Sequence, residues 1–97
     1  MRYIRVQWHH DFVDEPVILY SEIDNSRYET RKVENYRDDR ADYADATTST
    51  GTTLLGELPI PPIEDIAEQP EFTPVEITES EFERVWDNAT QRRRRNN

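Results

Sequence analysis

The chain has 97 residues, 34% hydrophobic and 34% charged, enough for one core and too few for two. It holds no cysteine, which excludes disulfides, thiol nucleophiles and cysteine-ligated metal centres. Twenty-one acids against twelve bases leave a formal charge of −9, no apolar run approaches the roughly 18–20 residues of a membrane span, and the first ten residues do not read as a signal peptide, so a soluble cytoplasmic protein is expected.

Ile4, Val6 and Trp8 alternate with Tyr3, Arg5 and Gln7, which predicts a half-buried strand over 2–9. A polar loop from His10 to Pro16 follows, then a β-branched and aromatic strand from Val17 to Ile23. Asp24-Asn25-Ser26 is a turn cluster. Residues 27–37 alternate again, charged in both registers and with few apolar anchors, as in a strand exposed on one face. Arg37-Asp38-Asp39-Arg40 reads as a hairpin turn, and a fourth strand returns over Ala41 to Ala46.

Thr47 to Thr53 reads as a flexible polar loop without a core residue, and Leu54, Leu55 and Leu58 as a short fifth strand around Gly56. Pro62 opens a short helix through Ala67, and Pro70 and Pro74 bracket an extended link carrying Phe72. Thr78 with Glu81 forms a capping-box pattern, and Ile77 with Phe82 the matching staple. Phe82, Val85, Trp86 and Ala89 then recur at helical spacing, giving a helix over about 79–90. The expected architecture is α+β: an antiparallel sheet of four to five strands, a C-terminal helix packed on one face and a short proline-led helix. Residues 1–91 form the single domain of this reading and 92–97 a disordered basic tail. Trp86 and Phe82 are expected against Ile4, Val6, Trp8 and Leu19, with the tyrosines on the opposite face of the sheet.

Several stretches resemble a family of small acidic bacterial proteins of uncharacterised function. They are Tyr3-Ile4-Arg5-Val6, Trp8 with His10, Asp14-Glu15-Pro16, Leu19 to Asp24, and Arg27 to Glu34 with its Arg31-Lys32-Val33-Glu34 core. Leu58-Pro59, Pro61-Pro62-Ile63, Pro70-Glu71-Phe72 and Glu81-Phe82 extend the likeness, which spans about residues 1–87. The chain departs from the pattern at Asp39, where the family tends to place a turn glycine. The resemblance implies a free-standing bacterial domain and transfers no catalytic residue.

The charge falls in three zones. Residues 1–37 are near balance, residues 38–91 carry fourteen acids against Arg40 and Arg84 alone, and residues 92–95 are four arginines. An acidic body repels phosphate backbones, which opposes a nucleic-acid partner, and attracts basic protein surfaces. The expected function is therefore a small non-enzymatic interaction domain. Its concrete form is an immunity-type protein that occludes the basic cleft of a toxin such as a nuclease. Asp38, Asp39, Asp42 and Asp45 are the expected contact residues, with Tyr36 and Tyr43 as anchors. An alternative centres on His9, His10 and Asp14, the densest group of possible metal ligands, as a metal-binding or small enzyme domain. Another is a structural or regulatory module of a larger assembly. Nothing in the sequence calls for a cofactor: the phosphate-loop and nucleophile-elbow patterns are absent.

Overall fold

A computed structural model of the protein describes residues 1–95, with side chains through Gln91. The four segments expected as strands form β1 (Arg2–Trp8), β2 (Ile18–Ile23), β3 (Glu29–Asn35) and β4 (Ala41–Ala44). Helix α1 (Ile63–Ala67), strand β5 (Phe72–Ile77) and helix α2 (Glu79–Arg95) follow. All pairings are antiparallel, in the order β4-β3-β2-β1-β5, so the chain crosses the sheet after β4 to reach the free edge of β1. This is the α+β architecture the sequence predicts.

The fifth strand lies elsewhere than expected. Residues 54–58 form no strand, and the proline-bracketed link around Phe72 is β5 instead. The physical reason is position: β5 is an edge strand, where Pro74 is tolerated because one side of the backbone needs no ladder partner. Helix α2 also continues past the predicted end near residue 90, to Arg95. The expected disordered tail over 92–97 falls on residues whose side chains, and at 96–97 whose backbone, lie outside the described ones.

Helix α2 starts as its sequence dictates. The Thr78 hydroxyl accepts a hydrogen bond from the Glu81 amide at 3.1 Å, and Ile77 packs into the cluster that holds Phe82. The face it covers is the reverse of the expected one. Tyr3, Tyr20 and Val33 form the buried cluster with Phe82 and Ala89, and Tyr43, Val85 and Trp86 pack against it. Ile4 and Ile23 are buried on the other face, beneath the segment between β4 and β5. Both faces of the sheet are covered, so alternation tells which side chains travel together without telling which cover they meet. Tyrosine serves on the α2 side because its ring buries while its hydroxyl reaches a partner, as Tyr3 does by donating to Glu79 at 3.1 Å.

One charged side chain ties α2 to the sheet. Arg31 donates to both Glu22 oxygens, at 3.0 and 2.6 Å, and to both Glu83 oxygens, at 2.9 and 2.6 Å. Its guanidinium also lies 5.0 Å from the Phe82 ring centroid and 5.1 Å from that of Trp86. Hydrogen bonds from Arg31 hold the Glu22 and Glu83 carboxyls below the usual value of 4.5.

On the opposite face, carboxylates of the sheet pin the threonine-rich loop that was expected to be flexible. Glu34 accepts from the buried Thr53 hydroxyl at 2.5 Å, and Asp42 accepts from Thr50 at 2.9 Å. Glu29, itself buried, accepts from Ser21 and from the Gly56 amide, each at 2.7 Å. Gly51 has φ +56, and a Cβ there would stand 2.5 Å from the Asp42 carboxylate, so the loop requires a residue without a side chain at this point. Arg27 fixes the far end of the segment by donating to the carbonyls of Ile60 and Pro61.

Two stability predictions follow from this packing. Phe82→Ala lowers the unfolding free energy by about 3–5 kcal/mol and Trp86→Ala, at a half-buried site, by less, as read by urea unfolding. Equal losses would move the centre of the α2 contact from Phe82 to Trp86.

The pH profile tests the charged seam. Stability conferred by Glu22 and Glu83 is present above pH 4.5 and declines as pH falls through their lowered values; Glu83→Gln makes that acid limb shallower. Burial pushes the Tyr3 hydroxyl up to about 12, so its contribution is complete below pH 10 and lost as pH rises toward 12; Tyr3→Phe flattens the alkaline limb. Unchanged limbs in both variants would detach these groups from folding.

Candidate functional site

The end of the sheet where β1 stops and β2 starts carries the β1–β2 loop, residues 9–17, and beside it the β3–β4 turn. Adjacent residues on an extended chain point opposite ways, and His9 and His10 do so. His9 reaches Thr73 on β5, Nε2 to Oγ1 2.7 Å. His10 turns into the loop: its Nδ1 accepts from the Phe12 amide at 2.9 Å, which leaves the proton on Nε2 to be donated to the Pro16 carbonyl at 2.8 Å. The ring packs between Trp8 and Phe12, with centroids 4.2 and 5.2 Å away. Arg37 of the β3–β4 turn donates to the His10 carbonyl and joins the two segments. Among the described residues, no three histidine, aspartate or glutamate side chains stand close enough to hold a metal ion.

The outer surface of this loop is apolar and acidic together. Phe12 is 61% exposed and Val13 83%. With Trp8, Asp11, Asp14 and Glu15 they line an open cleft of about 520 Å³. Asp11, Asp14 and Glu15 are exposed, and among the described residues their carboxylates have no hydrogen-bond or ion-pair partner. The Trp8 indole Nε1 is buried and, among the described residues, also without a hydrogen-bond partner. Phe12 and Val13 lie within the segment that the sequence predicts as a polar loop. The available signal was two adjacent apolar residues in an otherwise polar loop, outside any strand or helix period.

The six expected contact residues do not form one surface. Asp38 and Asp39 stand exposed at the tip of the turn closed by the Tyr36 amide on the Arg40 carbonyl at 2.9 Å. Asp39 has φ +67, so the turn forms with an aspartate in the left-handed region that favours glycine. Asp38 accepts from the Arg40 amide at 3.1 Å. Tyr36 is buried under Arg40, whose guanidinium lies 4.2 Å from its ring centroid, and Asp42 is buried against Thr50. Neither Tyr36 nor Asp42 presents an exposed side chain in this conformation. Tyr43 is half-buried, edge-on to Trp86 at 5.3 Å, on the α2 side. Asp45 shapes its own turn: hydrogen bonds from the amides of Thr47, first, and Thr48 hold its carboxyl below the usual range.

The chain belongs to the family described as Domain of unknown function (DUF6881), which matches residues 2–91. No curated protein and no solved structure matches it. Among the described residues, no helix is long and apolar enough to cross a membrane.

His10→Ala tests how the loop is built. Loss of its two ring hydrogen bonds is expected to lower stability by about 1–3 kcal/mol and to accelerate hydrogen exchange at the Phe12 amide. Exchange at the wild-type rate would mean that Arg37, not His10, holds the loop.

Proposed function

We propose that this protein is a small non-enzymatic interaction domain that engages a basic protein surface through the sheet end formed by residues 11–15 and 37–40. One observation carries the reading: the sign of charge offered to solvent there. Asp11, Asp14, Glu15, Asp38 and Asp39 are all exposed and outnumber the two exposed cations there, Arg37 on the His10 carbonyl and Arg40 on the Tyr36 ring, five to two. Exposed Phe12 and Val13 add apolar area that a partner can bury. The anchors of the reading are thus Phe12 and Val13 in place of Tyr36 and Tyr43, and Asp42 leaves the contact set because it is buried.

The specific form we favour is an immunity-type protein that occludes the basic cleft of a toxin, for example a nuclease. An acidic rim suits that task. Long-range attraction raises encounter rates by about 10²–10³ and salt screens it. The acidic body outside the contact region, including Glu64, Asp65, Glu68 and Glu71, has the sign to extend the attraction.

Affinity capture from the native host followed by surface plasmon resonance on the captured partner tests the reading. The triple change Asp14→Lys, Glu15→Lys and Asp38→Lys is expected to slow association at least about tenfold at low salt, with a smaller effect on dissociation. The fold is expected to persist, since all three side chains are exposed. Association as fast as wild type at both low and high salt would remove charge attraction from the function.

A further inference from the structure

We infer that the open cleft lined by Trp8, Phe12 and Val13 is a receptor for a cationic side chain, a lysine or arginine of the partner protein. The inference rests on the interaction reading above and gives its contact surface one occupant. Its aromatic lining is two neighbouring tilted rings, Trp8 and Phe12, with centroids 6.3 Å apart and planes inclined by 57°. His10 packs against both rings and fixes their spacing. Val13 adds an apolar flank, and Asp11, Asp14 and Glu15 complete the lining.

Each part suits a cation on an apolar stem. An aromatic face attracts an ammonium or guanidinium through its quadrupole, and a carboxylate at the rim adds charge-assisted hydrogen bonds. The methylene stem of lysine or arginine gains apolar contact on Phe12 and Val13. A neutral apolar side chain would leave three carboxylates to be covered without compensation, which disfavours it. An anion meets only negative charge. The three acids are free for this role, since among the described residues they bond to nothing in their own chain. The cleft, at about 520 Å³, has room for one such side chain and its remaining hydration. Two arginines of the same chain already lie on aromatic rings, Arg31 on Phe82 and Trp86 and Arg40 on Tyr36, and the Trp8–Phe12 pair has no such cation among the described residues.

The probe is the blocked peptide acetyl-Arg-Gly-Arg-Gly-Arg-amide, compared with the same peptide carrying neutral citrulline for arginine. Nitrogen–proton correlation spectra of the full chain follow the titration through the Trp8 indole N–H and the amides of residues 11–15. Saturable shifts at those positions are expected with the arginine peptide, and binding of the citrulline peptide at least about tenfold weaker. Phe12→Ala keeps every charge and changes an exposed side chain; it is expected to weaken binding about threefold to tenfold. Asp14→Asn with Glu15→Gln, which keeps the rings, is expected to weaken it by a similar factor. Equal affinity of the two peptides, or wild-type affinity in Phe12→Ala, overturns the receptor. Saturable shifts confined to Asp38, Asp39 or the acids of α2 overturn the receptor and leave the basic-partner reading standing. Shifts nowhere in the chain overturn both.

Discussion

The guanidinium of Arg31 is the point on which the helix and the sheet agree. It lies between Glu22 on β2 and Glu83 on α2, with two hydrogen bonds to each, and over the Phe82 and Trp86 rings. A chain with so few apolar residues cannot dock a helix on an entirely apolar stripe. The α2 side of the sheet therefore carries a buried carboxylate, Glu22, and the helix must bring it a matched charge environment. Arg31 meets that need from the neighbouring strand and extends to Glu83. The bidentate geometry on both sides fixes the helix in rotation and in height, which places Phe82 in the buried cluster and Trp86 edge-on to Tyr43.

The same device recurs with uncharged donors on the other face. Glu29, Glu34 and Asp42 each accept hydrogen bonds from the segment that crosses the sheet between β4 and β5. These contacts join residues 8 to 27 positions apart in sequence, and they turn a stretch of threonines and glycines into an ordered cover. Polar residues thus close this fold where a larger protein would use apolar ones. The acidic excess of the composition divides accordingly. Glu22, Glu29, Glu34 and Asp42 are structural, while Asp11, Asp14, Glu15 and Asp38 face solvent.

That division gives the proposed interaction surface its shape. Asp11, Asp14 and Glu15 sit beside the most exposed aromatic ring in the chain's described loops, and a histidine holds that ring against Trp8. His9 and His10 are adjacent in sequence and are used separately, one on Thr73 and one within its own loop. The loop is therefore a scaffold for exposed groups: its polar atoms point inward to its own backbone, and its carboxylates and rings point outward.

Local order was legible in the sequence because its causes are local. Alternation set β1 and β3, β-branched and aromatic composition set β2, the Asp38-Asp39 turn set the return into β4, and Thr78 and Glu81 set the start of α2. The α+β class followed from the order of those elements. Tertiary structure decided what depends on residues distant in sequence. It chose Tyr3, Tyr20 and Val33 for the α2 face, since a period of two names a set of side chains and not its cover. It made a strand of the segment around Pro74 by giving it the free edge of β1, and it ordered the threonine loop by bringing Glu34 and Asp42 beneath it. It also separated buried acids from free ones. A carboxylate reads alike in sequence whether it holds a loop or faces a partner, because its role is set by the donors that the fold carries to it.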